Sequence, residues 1–139
     1  MSVVALLGSA AAVVVIDQAS KAMAQWRLGD APLRIGPGVW LVLVRNERVG
    51  LTGMSARSAM GLCAVASTTA MLILALHGPF AFTTNVGLGS AVGGATGNLF
   101  DRWRHGVVLD FIKCGEWPTF NVADAALCAG VALTVGSLL

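Results

Sequence analysis

Charge is scarce in this chain. Only 12% of its 139 residues are Asp, Glu, Lys or Arg, about half the share a soluble domain carries. Cysteine is also sparse: Cys63, Cys114 and Cys128 are odd in number and scattered, which leaves no disulfide framework to read. Two of them fall in apolar segments, where Cys behaves as a small core residue. His77 and His105 have no Cys or His at ligand spacing, so no metal site and no cofactor are expected. The net charge is only +2, and no basic tract with interleaved aromatics appears, so nucleic acid is not an expected partner.

What is present is apolar. Hydrophobic residues make up 56% of the chain and the mean hydropathy is +0.78, which marks a membrane protein. Its length allows one domain, 1–139, of about four spanning helices at ~20 residues each. The expected spans are 3–26, 58–76, 82–100 and 122–139. The first begins with an apolar run from Val3 to Ile16, but it lacks a basic leader and is followed at once by Asp17 and Lys21, unlike a cleaved signal sequence. The third is crowded with small residues, among them Gly87, Gly89, Gly93, Gly94 and Gly97. In lipid such residues let helix backbones approach closely, so a central, tightly packed helix is expected.

Between the first two spans, Arg27 to Arg57 is polar and holds the β-branched and aromatic run Val39 to Val44 after Gly36-Pro37-Gly38. The run is too short to span and reads as a strand. Val107 to Ile112 is a second strand candidate, and a small sheet at the membrane surface accommodates both. All nine Lys and Arg residues fall in Lys21 to Arg57 or Arg102 to Lys113, and all seven acids lie between Asp17 and Glu47 or between Asp101 and Asp124. With four spans these regions share one side, so the chemistry belongs to one face. By the positive-inside rule alone that face is cytoplasmic.

Carboxylates in apolar surroundings need a partner, a shared proton or a function. Asp17 and Lys21 are four apart on a helix, the spacing of an ion pair. Ser20 and Lys21 point about 100° apart and cannot form a hydrolase dyad. Asn98, Asp101 and Arg102 share one helix face, and Asn121 and Asp124 repeat the Asn-to-Asp spacing at the start of the fourth span. Hydrogen-bonded glue between helices is the plain alternative, though glue ordinarily uses Ser, Thr or Asn. Asp110, in VVLDFI, is flanked by Leu109 and Phe111, where desolvation raises a carboxyl pKa. Paired with Asp124 it could share one proton, one carboxylate acting as base on water and the other as acid. The residues alone leave Asp101 or Asp110 as the partner of Asp124. Arg102 beside Asp101 favours an ionised, structural Asp101, and so Asp110 for the shared proton. Asn46, where the first strand candidate ends, is by itself a turn residue.

The ordered series IDQASK, then RN after the strand, then GGATGNLFDRWRHGVVLDFI, then FNVADAAL resembles the lipoprotein signal peptidase (signal peptidase II) family over nearly the whole chain. The resemblance implies an all-α membrane protein, four transmembrane helices with a small β-sheet cradle on the extracytoplasmic face. It implies an aspartic endopeptidase of the bacterial inner membrane that cuts diacylglyceryl-modified prolipoproteins just before the lipidated cysteine. The catalytic pair falls on Asp110 and Asp124, with Asp17, Lys21, Asn46, Asn98, Asp101, Arg102 and Asn121 as supporting or substrate-binding positions. The partners implied are lipidated prolipoproteins and membrane lipid, with a monomer sufficient.

Two features depart from the family. After the motif Asn the family reads glycine, small residues and an aromatic, whereas here Glu47, Arg48, Val49, Gly50 and Leu51 follow Asn46, with Arg48 in place of the glycine. The chain is also short between Asp110 and Asp124. The altered loop motivates one rival, a non-catalytic paralogue that binds lipoproteins or a peptide antibiotic. A small channel or scaffold using its aspartates for packing is another. The family's outward-facing site conflicts with the charge bias, and the specific ordered series outweighs that bias.

Overall fold

The apolar run that opens the chain folds as helix α1 (Ser2–Arg27) in the structure, a computed structural model that describes residues 2–29, 31–46 and 81–138. At 26 residues α1 is about 39 Å long, more than the ~30 Å hydrocarbon core of a bilayer. Among the described residues Val3–Arg27 is the one helix both long and apolar enough to cross a membrane. Two further helices follow, α2 (Phe82–His105) and α3 (Val122–Leu138). The latter is a shorter apolar helix over Val122–Ser137. The expected second span, 58–76, and the altered loop Glu47 to Thr52 lie outside the described residues.

Helix α2 lies between the other two and packs along both. Its glycines make this possible. A Cβ on Gly93 would sit 2.6 Å from the Ala10 carbonyl oxygen and 2.9 Å from Val13 Cβ of α1. One residue on, a Cβ on Gly94 would meet the backbone of Ala123 and lie 3.0 Å from the Leu127 nitrogen of α3. Adjacent residues point about 100° apart, so this pair serves two neighbours at once. The helix runs five residues past the expected end at Phe100. It stops at Gly106, whose φ of 75° gives a left-handed cap with its N–H on the Arg102 carbonyl. Hydropathy ends at Asp101, but that carboxylate is paired inside the bundle and the helix continues through it.

The three strands β1 (Leu33–Gly36), β2 (Val39–Asn46) and β3 (Val108–Cys114) form an antiparallel sheet in the order β1-β2-β3. Pro37-Gly38 turns the first hairpin, with Gly38 at φ 71°, a conformation glycine adopts without strain. The expected strands at 39–44 and 107–112 extend to Asn46 and Cys114, and β1 was not foreseen. Four residues, LRIG, are too few to show a period. Phe111 packs with Ala24 and Leu28 at the end of α1, joined by Leu41, Leu43, Ile112 and Val122. That small core fastens the sheet to the helix ends.

Candidate active site

The start of α3 is built by a reciprocal cap. Asn121 Oδ1 accepts the Asp124 N–H at 2.9 Å, and Asp124 Oδ2 accepts the Asn121 N–H at 3.2 Å. This is the geometry of a capping box, with Asn and Asp in place of the usual Ser/Thr and Glu. It holds the Asp124 carboxylate in the first helical turn, where the helix dipole favours negative charge. Another terminal N–H, that of Ala123, donates to the fully buried Asp17 Oδ1 at 2.9 Å. The spacing of Asn121 and Asp124 was legible in the sequence, but the capping role was not.

Asp110 reaches the same place from β3. Register pairs Val44 with Asp110 and Asn46 with Val108, which puts Asn46 beside the carboxylate. Asn46 Nδ2 donates to Asp110 Oδ2 at 2.9 Å, and Asn121 Nδ2 donates to Asp110 Oδ1 at 2.8 Å. Burial pushes Asp110 up to about 6, and the nearby Asp124 charge adds to the rise. The Asn46 and Asn121 hydrogen bonds and the Lys21 charge pull the other way, but desolvation wins.

Asn98, on α2, links the two helices of the site. Its Nδ2 donates to Asp124 Oδ1 at 2.7 Å, while its Oδ1 accepts from Asn121 Nδ2 at 3.0 Å and from Lys21 Nζ at 3.1 Å. The Lys21 ammonium fixes which way this amide points, since it can only donate. Lys21 also lies 2.7 Å from Asp17 Oδ2 and 2.8 Å from Asp101 Oδ2. Gln18 completes the cluster, donating to Asp101 Oδ1 at 2.9 Å and to Asp17 Oδ2 at 3.2 Å. Gln18, inside IDQASK, was not among the expected site residues; its place one residue after Asp17 in a polar motif was the available signal. The cation at Asp101 is thus Lys21, not Arg102, which corrects the expectation drawn from adjacency.

A cavity of about 530 Å³ opens over this network. Asn46, Asn98, Arg102, Asp110 and Asp124 form its polar end, and Val108, Pro118, Phe120, Ala125 and Cys128 contribute less polar walls. The structure therefore gathers Asp110, Asp124, Asn46, Asn98 and Arg102 around one space. It places Asp17, Lys21 and Asp101 behind them as a buried base in which one ammonium bridges two carboxylates. Asn121 stands between the two groups. Chemically, two carboxylates of unequal environment beside a half-apolar cavity suit acid/base attack on a bound amide.

The family profile for signal peptidase (SPase) II matches residues 9–139. The chain belongs to the signal peptidase II family. It is 32% identical over 149 residues to a lipoprotein signal peptidase of Sulfurihydrogenibium sp., covering 96% of this chain and 90% of that one. It is 34% identical over 136 residues to a lipoprotein signal peptidase of Syntrophomonas wolfei, covering 95% and 91%. Two solved structures described as bacterial membrane enzymes share the fold. Their TM-scores are 0.86 and 0.85 at 23% and 24% identity; both matches cover 96% of this chain, with 86% and 92% of theirs. This chain combines helices with a small antiparallel sheet.

Proposed function

We propose that this chain is an aspartic endopeptidase in which Asp110 and Asp124 activate water between them. As a signal peptidase II it is a protease of bacterial membranes that removes signal peptides from prolipoproteins. The observation that carries the finer reading is the unequal pair on one cavity. Asp110 is raised to about 6 by burial, while Asp124 sits in a capped helix N-terminus and accepts from Asn98.

In the proposed step Asp110 holds the shared proton and Asp124 is ionised. Asp124 takes a proton from water as its oxygen attacks the scissile carbonyl, and Asp110 delivers its proton to the departing amide nitrogen. Two coupled carboxyls lose their protons in macroscopic steps that belong to the pair. Asn98 and Asn121 hold the carboxylates, Asn46 orients Asp110, and Arg102 faces the substrate from the cavity wall. Lys21, Asp17 and Asp101 fix the amide of Asn98 from below. The reaction so written uses no cofactor.

The substrate proposed is a prolipoprotein whose cysteine already carries diacylglycerol, cut just before that cysteine. The apolar cavity wall offers room for such a neighbour. The single domain, 1–139, is proposed to span the inner membrane four times as a monomer, with its site facing outward. That orientation follows the family motif series over the charge bias, because Lys21 and Arg102 belong to the site and report function rather than topology.

The test is a gel-shift cleavage assay with purified protein and a diacylglyceryl-modified prolipoprotein. Cleavage by wild type that Asp110→Asn and Asp124→Asn each abolish is the expected result. Cleavage surviving either substitution would sink the dyad. Binding of the precursor without cleavage would favour the non-catalytic paralogue motivated by the Glu47 to Leu51 loop.

A further inference from the structure

All four tryptophans lie at one end of the molecule and outside its core. Trp26 is 80% exposed near the end of α1, Trp103 74% exposed near the end of α2, and Trp117 75% exposed just before α3. Trp40 is 37% exposed on the sheet. In water so much bare indole is unfavourable, but at a bilayer surface its apolar body and polar N–H are both accommodated. Two arginines join this ring: Arg27 lies 5.4 Å from the Trp26 ring centroid and Arg34 5.5 Å from that of Trp40.

The sheet organises the second pair further. Register aligns Arg34 with Trp40 and Trp40 with Lys113, so one row across three strands reads cation, indole, cation on a single face. Alternation along β3 puts Lys113 on the face of Phe111, opposite Asp110. Phe111 rests on Ala24 and Leu28 at the end of α1. The row therefore belongs to the face opposite Asp110. Arg34 Nε bonds the Gly36 carbonyl and Lys113 Nζ the Trp117 carbonyl. Among the described residues neither cation forms an ion pair with a carboxylate.

From this placement we propose that the Arg34–Trp40–Lys113 row binds the phosphate headgroup of an anionic membrane lipid, docking the sheet on the bilayer beside the cavity. Charge complementarity selects the lipid, since basic groups at a membrane surface attract anionic headgroups. Indole supplies the interfacial anchor. Continuity with the site comes through Trp117, which lines the cavity and receives the Lys113 hydrogen bond. The inference rests on the membrane reading above but not on the assignment of the aspartates.

Native mass spectrometry of the full chain, released from detergent and titrated separately with phosphatidylglycerol and phosphatidylcholine, tests it. Wild type is expected to retain phosphatidylglycerol preferentially. Arg34→Gln with Lys113→Gln should weaken that retention about fivefold for each cation removed without changing retention of phosphatidylcholine. Arg34→Lys with Lys113→Arg keeps both charges on the same surface positions and should keep the preference. Equal retention of the two lipids by wild type, or a preference undiminished in the Gln pair, overturns the proposal. Cleavage of the lipidated precursor in detergent is scored separately, so failure of the lipid site and failure of the peptidase reading are told apart.

Discussion

Asn121 touches Asp110 and Asp124 at once: its amide nitrogen donates to Asp110 Oδ1 at 2.8 Å, and its backbone nitrogen donates to Asp124 Oδ2 at 3.2 Å. One residue thus performs a folding task and a chemical one. Its side-chain oxygen caps α3, which aims Asp124, while its side-chain nitrogen holds a carboxylate on a different element. The chain needs an amide here because neither a hydroxyl nor a carboxylate offers both an acceptor for the cap and a donor long enough to reach β3.

Substituting Asn121 separates these tasks. Asn121→Ala removes both, costing about 1 kcal/mol of stability from the lost cap. It should also lower kcat/KM about 10- to 100-fold, because the Asp110 carboxyl loses the amide that holds it. Asn121→Ser restores a capping oxygen but not the reach to Asp110. Thermal unfolding of Asn121→Ser should therefore approach wild type while cleavage stays as low as in Asn121→Ala. Parallel recovery of both would mean the residue acts through the fold alone.

Asp110 makes the protein pH-sensitive in a direction that can be worked out. Its folded value of about 6 lies above the ordinary 3.8, so as pH rises the unfolded chain releases this proton first. The stabilisation of the folded state is complete below 3.8, is lost as pH climbs to about 6, and then levels off. Asp110→Asn cannot ionise, so its unfolding temperature should fall less than that of wild type across that window. If the wild-type and Asn curves run parallel, Asp110 does not carry the shift. In the cleavage assay kcat/KM should decline above about pH 6 as the free enzyme loses the proton. The decline in kcat should come at higher pH, because bound substrate desolvates Asp110 further.

Local spacing was readable from the chain, and long-range pairing was not. The i, i+3 placement of Asn98 with Asp101 and of Asn121 with Asp124 follows from helical geometry, as does the Asp17–Lys21 ion pair. The glycine-rich stretch was readable as a close-packed helix because α2 needs small residues toward both neighbours. Arg102 misled because it is next to Asp101 in sequence. Helical neighbours diverge by about 100°, and the cation that meets Asp101 comes from α1. The helix end at His105 escaped a hydropathy reading for the same reason, since the ion pair buries a charge that polarity alone would place outside. The start of α3 at Val122 is where the fourth span was expected, but the reciprocal cap that Asn121 and Asp124 form there was not read from the sequence.

Lys21 offers a sharper test of that buried base. Its single ammonium is shared between Asp17, fully buried, and Asp101, 2% exposed. Lys21→Met leaves two buried carboxylates without a cation and should destabilise the protein by about 3–5 kcal/mol. Adding Asp101→Asn removes one of the stranded charges. Asp17 then still accepts from Gln18 and from the Ala123 N–H. The double variant should therefore regain part of the lost stability in a denaturation series, a coupling that independent sites would not show. A double variant weaker than Lys21→Met would contradict the charge argument.

Gly94 connects packing to chemistry over one helical turn. A Cβ at this position meets the Ala123 carbonyl and the Leu127 nitrogen, both backbone, so no side chain can swing aside. Gly94→Ala must push α2 from α3, and overpacking of this kind costs about 1–3 kcal/mol. Asn98 lies one turn further along α2, and its 2.7 Å bond to Asp124 crosses the same interface. Separation of the helices should stretch that bond and depress cleavage more than the stability loss alone explains. Gly8 is the control on α1: among the described residues nothing lies within 4 Å of its added Cβ, and Gly8→Ala should be neutral or stabilising by up to about 1 kcal/mol. Comparing the two variants at a temperature where both are fully folded isolates the geometric effect. Normal cleavage by folded Gly94→Ala would show that the Asn98–Asp124 contact does not limit the reaction.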